Sequence, residues 1–169
     1  MIRNEIVITG GLGFIGQNFV RYLDKKLNNY KIILYDKAKK NYKRIKNNSK
    51  KNKIVIIIGN TLDIENKLSR FKNIKVLFHF GEFSRIVKSF EFTKECFSSN
   101  TLGTFKVLNF CKNRNIKLIY SASSSKFGNN GADENLSPYS WTKSKNIELI
   151  KNFSKWFGLK YEIVYFFNV

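Results

Sequence analysis

The run EIVIT at residues 5–9 stops at a glycine cluster, TGGLGFIG over 9–16, and the stretch beyond it is periodic rather than extended. Phe14, Ile15, Phe19, Val20, Leu23 and Leu27 recur at the spacing of one helical face. Strand, tight glycine turn and helix in direct succession leave few folds open. A helix that follows a strand this closely packs back on it and carries the chain to a parallel neighbour, which demands a crossover architecture.

The remaining sequence keeps that alternation. The runs KIILYD (31–36) and KIVIIIG (53–59) are rich in β-branched residues and too short for helices, so they read as buried parallel strands. IKVLFHF (74–80), IKLIYSAS (116–123) and YEIVYFF (161–167) read as further strands. Periodic segments from about Thr93 to Asn113 and about Tyr139 to Phe157 read as helices. Pro138 suits the start of the second and Gly158 its C-cap. KKNYKRIKNNSKKNK (39–53) reads as a solvated basic loop and KFGNNGADENLSP (126–138) as a turn. The pattern predicts an α/β fold: a three-layer, doubly wound parallel sheet of Rossmann type, covered on both faces, with right-handed crossovers. With no internal repeat and no Pro-rich or Gly/Ser linker, residues 1–169 form one domain.

Hydrophobic residues make up 43% of the chain and aromatic residues 15%, enough for a core without staples. Cys96 and Cys111 form no CxxC pair, and the single histidine has no cysteine cluster around it, so neither disulfides nor a metal site is expected. A reducing cytoplasm is the expected setting. Met1 runs almost directly into a strand, so no signal peptide is expected, and no apolar run approaches the roughly 20 residues of a membrane span. The net charge of +19 would also suit a nucleic-acid binder. Its lysines are spread through every segment beside abundant asparagine and isoleucine, which favours compositional bias over an RNA-binding surface.

Gly10, Gly13 and Gly16 lie between strand and helix with Phe14 and Ile15 beside them. Glycines there let the backbone approach a pyrophosphate whose charge meets the N–H groups and dipole of the helix N-terminus. Asp36 ends the second strand twenty residues past Gly16, where a carboxylate can accept hydrogen bonds from both adenosine ribose hydroxyls. That favours NAD over NADP, whose 2′-phosphate would face the same charge. Tyr139 and Lys143 stand four apart at a helix start and so share a face. A phenol is a weak base near neutrality, and a neighbouring ammonium favours its ionised form, so the pair suits proton transfer.

Together these residues resemble the extended short-chain dehydrogenases/reductases, specifically the NAD-dependent epimerase/dehydratase group. The resemblance covers the whole chain and rests on TGGLGFIG, Asp36, FHFGEFS (78–84), NTLGTFKVLNFC (100–111), YSASSSKFG (120–128), SPYSWTK (137–143) and YFFNV (165–169). It implies Ser123 as the hydroxyl that meets the reacting sugar, with Ser124 beside it, Tyr139 as acid/base and Lys143 as its partner. It further implies Asn60 near the adenine, where relatives carry Asp, with Thr61 next to it. Phe80 and Gly81 would run along the cofactor, Asn100 would lie near the nicotinamide, and Asn168 would meet the substrate diphosphate. The substrate implied is a nucleotide-diphosphate sugar, epimerised at C4, and the full-length family implies a homodimer. Dehydratases carry an Asp–Glu pair after the catalytic threonine; Ser124 and Ser125 stand there instead, which disfavours dehydration. Relatives continue into a small C-terminal substrate domain, expected to be absent from this chain. The alternatives are a catalytically incomplete NAD-binding scaffold and an NAD(P)-dependent sugar-nucleotide reductase. His79 lies inside an apolar strand and Cys111 on an apolar helical stripe, and both are expected to be core.

Overall fold

The computed structural model describes residues 3–38 and 51–167. Six strands form one sheet: β1 (Asn4–Thr9), β2 (Tyr30–Asp36), β3 (Lys53–Ile58), β4 (Ile74–His79), β5 (Lys117–Ser123) and β6 (Tyr161–Phe166). Their order is β3-β2-β1-β4-β5-β6, and every pairing is parallel. The chain winds outward from β1 through β2 to β3, then returns past β1 to β4 and winds the other way. The winding reverses between β1 and β4, whose C-terminal ends therefore open a crevice.

Period-two alternation assigns each strand residue to a layer. Ile6 and Ile8 of β1, with Ile32 and Leu34 of β2, pack with Val20 and Leu23 of helix α1 (Phe14–Lys26). Val7, Ile33, Tyr35 and Leu77 face the opposite layer. There they meet Ile64 of the short helix α2 (Ile64–Lys67) and Val107 and Leu108 of α5 (Gly103–Asn113). Ile147, Ile150 and Phe153 of α6 (Pro138–Phe157) complete that layer. Cys111 is fully buried in it, as the apolar stripe implies.

Local chemistry sets the helix ends. Ser137 accepts a hydrogen bond from the Ser140 amide at 3.0 Å, Pro138 occupies the first turn of α6, and Gly158 closes the helix at φ 69°. A left-handed residue there costs glycine nothing. The segment read as one helix from Thr93 to Asn113 begins and ends where expected, but is built as α4 (Thr93–Phe97), a π turn (Ser98–Leu102) and α5. The short α3 (Lys88–Glu91) precedes it. Residues 128–135, read as part of a turn, wind as a 3-10 segment.

Two expectations need correction. At the β6 edge Glu162 and Val164 are exposed, so among the described residues the sheet is covered there on one face only. An edge strand with a helix on one side shows alternating burial, whatever its composition. β3, at the other edge, is mostly half-buried rather than buried. The basic stretch 39–50 lies outside the described residues. No helix among the described residues is long and apolar enough to cross a membrane.

Truncating Leu108, fully buried between α5 and the sheet, to Ala is expected to cost about 2–5 kcal/mol in denaturant unfolding. Val164→Thr on the open face of β6 is expected to stay within roughly 0.5 kcal/mol of the parent.

Candidate active site

β1 and β4 come so close at their ends that two glycines touch backbone to backbone. A Cβ on Gly10 would lie 2.8 Å from the Gly81 nitrogen, and one on Gly81 would lie 2.7 Å from the Gly10 nitrogen. Gly10 also holds φ at +66°, a left-handed conformation that opens the turn. A Cβ on Gly16 would press on the Gly10 carbonyl, so α1 can start this near the turn only without a side chain there. The Gly13 amide donates to the Gly10 carbonyl at 3.0 Å and closes the bend.

α1 then begins at Phe14 with Gly13 as its N-cap. No side chain caps it, and its first turn holds no acidic residue. Its N-terminal amides and the positive end of its dipole are thus unspent at the edge of a cleft of about 360 Å³. Gly10, Gly13, Phe14, Ile15, Gly16, Asp36, Asn60, Thr61, Phe80 and Gly81 all line that cleft, so ten residues expected at a cofactor meet in one place. Asp36 is anchored by amides: Leu12 N donates to Oδ2 and Ala38 N to Oδ1, each at 2.9 Å. A carboxylate has about four acceptor sites, so lone pairs remain for a ribose diol. Asn60 accepts from Leu62 N at 3.1 Å and begins a 3-10 turn. Phe80 packs edge-on against Phe19 and Phe166. A glycine cradle, an unspent helix N-terminus and an anchored carboxylate fit an adenine dinucleotide.

Three residues expected at the cofactor do not line this cleft. Asn100 is fully buried: its Oδ1 accepts from Phe83 N at 2.7 Å, and its Nδ2 donates to Phe83 O at 3.2 Å and to Thr142 Oγ1 at 3.0 Å. It staples the π turn to the segment after β4, so its side chain acts through Phe83 and not on the cleft. Tyr139 and Lys143 both lie in α6, as their spacing requires, but no hydrogen bond joins them among the described residues. Lys143 is 6% exposed; its ammonium pairs with Glu82, donates to Ser121 O at 2.6 Å and sits 4.9 Å from the centre of the Tyr120 ring. Tyr139 is half-buried, with its amide on Ser89 Oγ at 3.2 Å. Ser123 ends β5 and accepts from Ser125 N and Oγ at 3.3 and 3.0 Å, with half-buried Ser124 between them. Asn168 lies outside the described residues.

The residue that sequence reasoning missed is Glu82, which lines the cleft while its side chain is 2% exposed. Besides Lys143 it receives Thr104 Oγ1 at 2.6 Å, Asn146 Nδ2 at 2.9 Å and Tyr120 OH at 3.2 Å. The available signal was an acid just past a strand end in a chain with 12 acidic residues against 31 basic ones. Thr104 spends its proton on Glu82, so it accepts one from His79 Nε2 at 3.0 Å; His79 Nδ1 in turn accepts from Thr9 Oγ1 at 2.7 Å. His79 is therefore the buried structural imidazole that its strand position implied. Burial holds it down at about 4; the Glu82 carboxylate opposes that shift and the Lys143 ammonium adds to it. Burial first, then the Glu82 charge, pushes the Tyr120 phenol well up.

A six-stranded parallel sheet with a glycine cradle at its switch point and an anchored acid on the next strand defines a dinucleotide-binding α/β protein. Residues 6–169 match the NAD dependent epimerase/dehydratase family, and the chain belongs to it. The family's cofactor is NAD. The chain is 31% identical to a putative UDP-glucose 4-epimerase of Methanocaldococcus jannaschii over 97% of its own length and 55% of that protein. It is 29% identical to a dTDP-D-glucose 4,6-dehydratase of Dictyostelium discoideum, over 92% of this chain and 41% of that one. The solved UDP-N-acetylglucosamine 4-epimerase of Methanobrevibacter ruminantium M1, in complex with UDP-N-acetylmuramic acid, is 28% identical. It superposes with a TM-score of 0.82 over 99% of this chain and 56% of its own. The chain spans about half the length of the relatives it matches.

Gly10→Ala sets a methyl group against the Gly81 backbone at a left-handed φ, and is expected to abolish NAD binding in calorimetry and to lower the melting temperature. His79 gives a pH effect of definite sign. Its folded value of about 4 lies below the ordinary 6.5, so between these the unfolded chain binds the extra proton. Its contribution is complete above pH 6.5 and falls away as pH drops towards 4, by on the order of 3 kcal/mol. Denaturant unfolding across that window should show the decline, and His79→Gln should flatten it.

Proposed function

We propose that this chain is the NAD-binding, acid–base half of a nucleotide-sugar 4-epimerase. The observation that carries the reading is the meeting in one cleft of the Gly10–Gly16 cradle and Asp36, with Glu82 linking that cleft to Lys143. The α1 N-terminus would hold the cofactor diphosphate, and Asp36 the adenosine ribose. Bound NAD would supply reversible hydride acceptance at C4 of the sugar. Ser123 Oγ, at the end of β5, would orient the reacting hydroxyl. The Tyr139 phenol would take that hydroxyl's proton and return it. Lys143 would contribute positive charge beside the phenol, damped by its pairing with Glu82. Asn168 would meet the substrate diphosphate.

Epimerisation is favoured over loss of water because Ser124 and Ser125 follow Ser123 and offer no carboxylate there. Exposed Phe97 and Trp141, stacked at 5.4 Å, and exposed Phe105, Trp156 and Phe157 support a homodimer formed through the helical layer. A second reading, a non-catalytic NAD-binding scaffold, draws support from the same Lys143–Glu82 pair, because the Glu82 carboxylate offsets the charge that would favour ionisation of the Tyr139 phenol.

Calorimetry is expected to give tighter binding of NAD than NADP, and Asp36→Ala to weaken NAD by about 2 kcal/mol while narrowing the preference. Incubation with NAD and a UDP-hexose, followed by NMR of the C4 proton, should reveal interconversion that disappears in Tyr139→Phe. Intact NAD binding with no conversion of UDP-glucose or UDP-N-acetylglucosamine would favour the scaffold.

A further inference from the structure

The acid–base scheme gives Glu82 no step of its own, yet four donors hold its carboxylate. Its backbone is fixed on both sides: Gly81 N donates to Thr9 Oγ1 at 3.0 Å, and Phe83 N to Asn100 Oδ1 at 2.7 Å. Its carboxylate takes three neutral donors and one cation while almost wholly withdrawn from water. Burying a carboxylate is costly, and such a set of partners is what offsets the loss of hydration.

Its position in the cleft suggests what it does. Asp36 and Asn60 mark the β2–β3 end, where the adenosine belongs, and Glu82 lies past β4, on the other side of the glycine cradle. Neighbouring strands stand about 4.8 Å apart, so the Glu82 end is roughly 10 Å further along the sheet edge and faces the ring end of an extended dinucleotide. Lys143 places a poorly solvated ammonium at that same end. The oxidised nicotinamide ring is positively charged and the reduced ring is neutral; in every other part the two cofactors are alike. An uncompensated ammonium would therefore select against the oxidised form.

We propose that Glu82 is a positioning residue that holds Lys143 and balances its charge, keeping the ring end of the cleft receptive to oxidised NAD. The proposal rests on the reading that NAD occupies this cleft. It adds a determinant of redox-state preference that the Ser123, Tyr139 and Lys143 set does not contain.

The test is the ratio of NAD to NADH affinities, measured by calorimetry on the folded protein and its variants, with circular dichroism checking the fold. The phosphates and adenosine contribute equally to both ligands and cancel in the ratio. Glu82→Gln keeps the side chain's shape and is expected to lower the ratio by about tenfold. Removing both charges in Glu82→Gln/Lys143→Met should return it towards the parent. If Glu82→Gln alone does not fold, Lys143→Met carries the test, because an unbalanced carboxylate should raise the ratio. Equal weakening of both cofactors, with an unchanged ratio in every folded variant, would overturn the proposal and leave Glu82 a structural buttress. A parent protein that binds neither cofactor would overturn the cofactor reading, and this proposal with it.

Discussion

The ends of β1 and β4 meet through two glycine backbones, and the site is arranged around that contact. Gly10 and Gly81 approach within a distance that leaves no room for a Cβ on either. Because they do, Thr9 Oγ1 can accept the Gly81 amide at 3.0 Å and Phe80 N can reach the Thr9 carbonyl at 3.2 Å. The chain after β4 thereby continues along the mouth of the crevice instead of turning away, and it brings Glu82 to the cleft. A side chain at either glycine would push that segment out and part the cradle from Glu82 and Lys143.

The second organising element is the buried polar core around Glu82. Thr9, His79, Thr104, Glu82, Tyr120, Asn146 and Lys143 form a connected set spanning β1, β4, β5, α5 and α6. Such networks stabilise when every member is satisfied and cost heavily when one is lost. Here a single imidazole tautomer satisfies the run from Thr9 to Glu82. The same network joins the floor of the glycine turn to the lysine of the YxxxK pair, so the glycine cradle and the start of α6 share one framework.

Charge is distributed unevenly between surface and site. The chain carries +19 overall, yet the charged residues lining the cleft are two acids, Asp36 and Glu82, each held by designated donors, and one lysine, Lys37. The lysine excess therefore does not describe the cleft. Asp36 stands at the β2 end of the cleft and Glu82 past β4, on the other side of the glycine cradle.

The sequence by itself determined the fold class, the strand and helix order and the cofactor cradle. These come from local regularities: apolar period, glycines between strand and helix, an acid at a strand end, a proline and a glycine bounding α6. Ten expected cofactor residues share one cleft for that reason, since they lie at consecutive strand ends whose order the parallel topology fixes. Tertiary structure alone decided which polar side chains turn inward. Asn100 and Lys143 look alike in sequence whether they face a ligand or a partner; packing sent the first to Phe83 and Thr142 and the second to Glu82. Glu82 itself had no local signature, because its partners come from positions 104, 120, 143 and 146 and meet only when β4, β5, α5 and α6 have assembled. The exposure of β6 was equally hidden, for a strand's composition does not record which of its faces a neighbour will cover.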